Sequence, residues 1–204
     1  MTGDAPFESL LVVGAGLLGT SVALAVRRRW PDVRLTAIDT VARAHAPFNA
    51  HLTPDAPLPA FDLAVLAVPV DAYAPWLRRF ACEAPGRAVT DVGSVKRRPH
   101  MEATAVGLST FAGGHPMAGG SRPGPEHASA VLFDRRPWFL TAGDAPPDAV
   151  APPDVAALAL VPTSAPSDHG DVGDVVAKGQ LLARFALPLL VIPLLLQVII
   201  DFSV

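Results

Sequence analysis

Three short segments concentrate the residue types that do chemistry. The first, Gly14-Ala15-Gly16-Leu17-Leu18-Gly19, has G-x-G-x-x-G spacing, and the acid Asp39 follows Gly19 by twenty residues. In that spacing Gly14 permits a tight turn, Gly16 lets a pyrophosphate approach the backbone, and Gly19 lets a helix pack closely on a strand. The phosphates would lie at the N-terminus of the helix that Leu17 and Leu18 open, where free N–H groups favour negative charge. Asp39 is placed to accept hydrogen bonds from adenosine ribose hydroxyls. A carboxylate there repels a 2′-phosphate, so NAD is expected rather than NADP, although Arg43 stands close enough to leave that preference open.

The other two segments are Thr90-Asp91-Val92-Gly93-Ser94-Val95-Lys96 and Gly113-Gly114-His115-Pro116-Met117-Ala118-Gly119. Each follows an apolar run of strand type, so both are expected on loops at the carboxyl ends of strands, where open α/β sheets bind ligands. Imidazole titrates near neutral pH, so His115 could take a proton from a substrate hydroxyl. Ser94 could hydrogen-bond one ring nitrogen and set the tautomer. On residue type alone the plain alternative stands beside this: a loop histidine that is solvated or bonded locally. Metal chemistry is not indicated, because Cys82 is the only cysteine and reads as a small core or surface thiol.

The elements that must carry these segments are legible from periodicity. Leu10 to Val13 reads as a strand running into Gly14, Leu17 to Arg29 as a helix, and Val33 to Ile38 as a strand ending at Asp39. Arg27 to Arg29 suit the helix C-terminus, and Pro31 stops it. Leu63 to Val68 reads as a buried strand, Val70 to Ala81 as a helix, and Ala88 to Asp91 as another strand. A further apolar stretch lies near Thr110 to Ala112, and Trp138 to Thr141 reads as a late strand. Such alternation predicts an α/β fold, a Rossmann-type doubly wound and mostly parallel sheet. Thr53 to Pro59 reads as a loop.

After Thr141 the pattern changes. Ala142 to Pro153 is an irregular Pro-rich segment, Ser164 to Asp174 is loop-like, and Phe185 to Ile200 is an apolar C-terminal tail broken by Pro188 and Pro193. That run is short for a spanning helix, which needs about twenty apolar residues, so it reads as a buried helix or a terminus lacking its natural partner. The division expected is a dinucleotide-binding domain over 1–141 and a linker with a divergent or truncated segment over 142–204. Net charge is -3 and aromatics make up 6%, which argues against nucleic acid as a partner. The N-terminal residues lack a basic stretch followed by an apolar one, so the cytoplasm is the expected location.

The blocks GAGLLGTS, AVPV (Ala67 to Val70), TDVGSVK, GGHPMAG and LFDRRPWFLT together resemble the prephenate and arogenate dehydrogenase family, over roughly Leu10 to Thr141. The resemblance implies oxidative decarboxylation of prephenate to 4-hydroxyphenylpyruvate with reduction of NAD+, a step of tyrosine and hence aromatic amino acid biosynthesis. His115 matches the histidine that accepts the proton of the ring hydroxyl, and Ser94 the serine that orients it. The cofactor residues implied are Gly14, Gly16, Leu17, Leu18, Gly19, Asp39, Val68, Pro69 and Asp91. The family's second, helical domain makes a dimer and supplies an arginine for a substrate carboxylate. Nothing after Thr141 matches it, and Arg184 is not assigned that role. A homodimer or a second chain completing the site is therefore expected. The other readings are a dinucleotide-binding module without catalysis, a related NAD(P)-dependent dehydrogenase, and a membrane-tethered form using Phe185 to Ile200.

Overall fold

The computed structural model describes residues 5–41, 47–142 and 158–159. Arg43, most of the Pro-rich segment, Ser164 to Asp174, Arg184 and the apolar run Phe185 to Ile200 lie outside the described residues. The chain begins with β1 (Ser9–Val13), α1 (Leu17–Arg29), β2 (Arg34–Ile38), the short β3 (Ala50–Leu52) and β4 (Leu63–Leu66). A single 3-10 turn at Val70–Ala72 leads into α2 (Tyr73–Glu83), then β5 (Ala88–Asp91), α3 (Arg97–Ala105) and β6 (Phe111–Pro116). A 3-10 turn at Pro125–His127 precedes β7 (Trp138–Ala142), and β8 (Leu158–Ala159) completes the order.

The strands form one sheet in the order β3-β2-β1-β4-β5-β6-β7-β8. Pairing is parallel from β3 through β6 and antiparallel from β6 to β7 and β7 to β8. The interior strands are apolar on both faces because helices cover both. Along β1, Leu10 and Val12 enter one core while Leu11 and Val13 enter the other; Leu63 and Val65 alternate with Ala64 and Leu66 along β4 in the same way. Helix α1 covers the first face through Val22, Ala23, Ala25 and Val26. Helices α2 and α3 cover the second through Tyr73, Leu77, Phe80 and Ala103. The doubly wound α/β expectation holds.

Helix α1 and strand β5 have the bounds the sequence predicts. Two elements do not follow from it. Strand β3 is three residues long, too short for a period to show. Helix α3 carries Pro99 in its third position, which reads as a breaker but falls in the first turn, where backbone N–H groups have no intrahelical acceptor. Its end is built by Gly107 at φ +72: the Gly107 N–H donates to Thr104 O at 3.0 Å and the Leu108 N–H to Ala103 O at 2.9 Å.

Candidate functional site: a dinucleotide crevice with a histidine-bearing strand

Strand order reverses at β1, which has β2 on one side and β4 on the other, and the glycine segment leaves β1 at that switch point. Gly14 has φ +96, and its N–H donates to Ile38 O at 2.8 Å. A Cβ there would lie 2.7 Å from Ala67 O and 2.9 Å from a Val68 methyl, so the glycine loop rests directly on the Ala67-Val68 block after β4. At Gly19 a Cβ would stand 2.0 Å from Gly14 O. At Gly16 it would meet nothing within 4 Å. One glycine is needed for the turn, one for packing, and the middle one faces open space beside the N-terminus of α1.

That empty side of Gly16, the helix terminus and the acid at the end of β2 fit a dinucleotide. Asp39 is half-buried and its Oδ2 accepts from the Ala15 N–H at 2.7 Å, while Oδ1 accepts from the Val41 N–H at 3.0 Å. It therefore braces the glycine loop from the β2 side. Leu17 and Leu18 are partly exposed at the mouth of α1, and after β4 Val68 is partly exposed and Pro69 exposed. The loop after β6 returns over this mouth. A Cβ on Gly120 would be 3.1 Å from the Leu17 side chain, and the Ser129 N–H donates to Ser21 Oγ at 3.0 Å.

The second and third segments meet around Asp91. Its carboxylate is 0% exposed and accepts five hydrogen bonds from four groups. Oδ1 accepts from the Gly114 N–H at 2.8 Å and Lys96 Nζ at 2.5 Å; Oδ2 accepts from the Gly93 N–H at 3.0 Å, the Tyr73 hydroxyl at 3.1 Å and Lys96 Nζ. Lys96 Nζ also donates to Gly114 O at 2.7 Å. Burial pulls the Lys96 ammonium down from its ordinary value, and Asp91 opposes that pull. Burial first, and the Asp91 charge second, push the Tyr73 hydroxyl well above the usual phenol range.

His115 lies on strand β6 rather than on a loop after it, which corrects the sequence expectation. Gly-Gly-His-Pro has poor strand propensity, but the packing requires the glycines. A Cβ on Gly113 would be 2.6 Å from Thr141 Oγ1, and one on Gly114 would be 2.3 Å from Asp91 O. The parallel pairs Val89↔Phe111 and Thr90↔Ala112 bring the loop that carries Ser94 out beside the strand that carries His115. His115 is half-buried, with its ring centroid 6.4 Å from that of Phe139 across the antiparallel β7 pair. Ser94 is exposed, and among the described residues its hydroxyl is not bonded to the imidazole. Asp91, expected at the cofactor, is fully buried, and its carboxylate is bonded to both segments.

Lys96, named within the second segment but given no role there, and Tyr73 are site residues that sequence reading did not assign. Lys96 had one local signal, its spacing of five residues from Asp91 across a glycine turn; Tyr73 had none. Among the described residues no group of acids, histidines and cysteines is arranged to hold a metal, and no helix is long and apolar enough to cross a membrane. Cys82 is exposed.

Comparison with known proteins agrees with this geometry. Residues 22–152 match the model of the prephenate dehydrogenase nucleotide-binding domain. A probable prephenate dehydrogenase (NovF) of Streptomyces niveus is 34% identical over 187 residues, covering 89% of this chain and 51% of that protein. Prephenate dehydrogenase of Bacillus subtilis is 29% identical over 147 residues, covering 67% of this chain and 40% of that protein. The chain thus spans about half the length of the curated relatives it matches, or somewhat less. Among solved structures, A. aeolicus prephenate dehydrogenase in complex with hydroxyphenyl propionate and NAD+ superposes with a TM-score of 0.60 at 23% identity, over 67% of this chain and 51% of that one. Synechocystis arogenate dehydrogenase gives a TM-score of 0.53 at 27% identity, over 65% of this chain and 49% of that one. The chain belongs to the family of prephenate dehydrogenase nucleotide-binding domains.

Proposed function

We propose that this chain is the cofactor-binding half of an NAD-dependent prephenate dehydrogenase, acting in tyrosine biosynthesis by oxidative decarboxylation of prephenate to 4-hydroxyphenylpyruvate. The observation that carries the reading is the junction at Gly114: it ties the Asp91-to-Lys96 segment to the strand bearing His115, on the carboxyl-end side of the parallel strands where the glycine loop also opens. In this reading residues 1–141 are the dinucleotide-binding domain and 142–204 a linker and divergent segment. Gly14, Gly16, Leu17, Leu18 and Gly19 cradle the pyrophosphate, Asp39 takes the ribose hydroxyls, and Val68 and Pro69 border the cofactor. Asp91 serves as a positioning group.

NAD+, when bound, supplies the hydride acceptor. His115 takes the proton of the substrate's ring hydroxyl on an imidazole nitrogen as that carbon loses its hydride, and the ring carboxylate then leaves as CO2 to aromatise the ring. Ser94 donates to or accepts from the same hydroxyl and ring, a bond formed on substrate binding. Prephenate is a dianion, so its carboxylates need a cation. In this reading a second copy or a second chain supplies it. The location proposed is the cytoplasm.

The test is NADH production by the purified chain with NAD+ and prephenate, with NAD+ affinity measured by calorimetry alongside. Turnover supports the full reading; binding without turnover limits the chain to cofactor binding; neither removes the reading. His115→Asn is expected to keep NAD+ affinity and to lower turnover by about 10²–10⁴-fold, the range lost with a general base. A variant at full rate would remove His115 from the mechanism.

A further inference from the structure

His115 follows two consecutive glycines, the residues least able to hold a side chain in one place. Gly114 has no Cβ, so its own dihedrals are soft, and they decide where the next residue points. Both peptide units flanking Gly114 are nevertheless fastened. Its N–H donates to Asp91 Oδ1 at 2.8 Å, and its carbonyl accepts from Lys96 Nζ at 2.7 Å. That carbonyl belongs to the planar unit that ends at the His115 Cα, so fixing it fixes the base of the histidine side chain.

The clamp is complete. An ammonium has three donors, and Lys96 meets three acceptors: both Asp91 oxygens and Gly114 O. Asp91 is held in turn by the Gly93 N–H and the Tyr73 hydroxyl. The Lys96 side chain is 17% exposed and that of Asp91 0%. Apolar residues of similar size often stabilise a fold as well as a buried ion pair does, so stability alone does not account for this one.

We propose that Lys96, held by Asp91, is a positioning residue that fixes His115 for proton abstraction by clamping the peptide between Gly114 and His115. The proposal rests on the reading of His115 as the base. It gives Lys96 no contact with cofactor or substrate. Arginine does not replace it, because a planar fork cannot meet three acceptors arranged around one point.

The test uses the full chain and the double variant Asp91→Asn/Lys96→Met, which removes both charges and leaves neither buried alone. The single variant Lys96→Arg is run beside it. Three quantities are measured: NAD+ affinity by calorimetry, kcat and KM for prephenate, and the rate at which diethylpyrocarbonate modifies His115, with exposed His127 as internal reference. The expected result is a folded variant with NAD+ affinity and KM within about 3-fold of the parent and kcat lower by about 100-fold, the effect of misplacing a reacting group by about 1 Å. His115 modification is expected to rise about 3-fold or more, with His127 unchanged, and Lys96→Arg is expected not to restore kcat. An unchanged kcat overturns the proposal, as does a loss of kcat matched by loss of NAD+ binding and of the folded state. If the parent chain binds NAD+ but makes no NADH, the dehydrogenase reading of this chain fails separately. The His115 modification rate then decides alone, an unchanged rate overturning the clamp and a faster one sustaining it.

Discussion

At the scale of single residues the three glycines of one motif have three different tolerances, and the structure separates them. Gly16 borders open space, so Gly16→Val is expected to melt at the parent's temperature and to lose NAD+ binding, because the new side chain fills the path to the helix terminus. Thermal melting and calorimetry together check this; a variant that still binds would sink the fingerprint reading. Gly19→Ala is the converse. Its Cβ would meet Gly14 O at 2.0 Å, and a loss of about 1–3 kcal/mol is expected by urea denaturation, as for overpacked cores. Tyr73 gives a pH prediction. It is the chain's only tyrosine, it is fully buried, and its hydroxyl is pushed up by burial and by Asp91. The native phenol stays protonated where the unfolded one ionises. Its contribution is therefore whole below the ordinary phenol value and is lost as pH rises above it, by about 1.4 kcal/mol per pH unit. Tyrosinate absorbance is expected to appear only with unfolding, and Tyr73→Phe to flatten the alkaline limb of stability against pH. Absorbance from a folded chain just above the ordinary value would contradict the burial argument.

At the scale of elements, local signals and tertiary constraints divide cleanly. Helix α1 was legible because its apolar spacing, its basic last turn and Pro31 act within one segment. The start of strand β6 was legible in the apolar run near Thr110 to Ala112, but its continuation through Gly113 to Pro116 was not, since glycine and proline are penalised by propensity, while the neighbouring β5 backbone and Thr141 admit nothing larger at Gly113 and Gly114. Helix α3 was missed because the penalty attached to proline depends on position within a turn that the sequence does not mark. Its C-terminus supplies a test. Gly107 has φ +72 with nothing within 4 Å of its missing Cβ, so Gly107→Ala meets no steric obstacle and only backbone strain. A loss of about 1 kcal/mol in urea denaturation is expected, with NAD+ affinity unchanged. A neutral result would show that the αL end is not needed to stop the helix.

At the scale of the whole molecule, the candidate residues gather at the carboxyl-end side of the parallel strands, and cofactor binding should be felt by the entire fold. NAD+ at about 100 times its dissociation constant is expected to raise stability by about 2.7 kcal/mol. NADP+ should do less at equal concentration, because the role proposed for Asp39 sets a carboxylate against a 2′-phosphate. Differential melting with the two dinucleotides checks both, and equal shifts would contradict the role given to Asp39. The sequence by itself determined the α/β class, the glycine loop with its acid and the two polar segments, because each is encoded in residues close along the chain. Only the tertiary structure decided that Asp91 is fully buried, that Lys96 reaches Gly114 across eighteen residues, and that His115 stands on a strand. Those outcomes depend on burial and on contacts between strands, where desolvation and close packing outweigh local propensity.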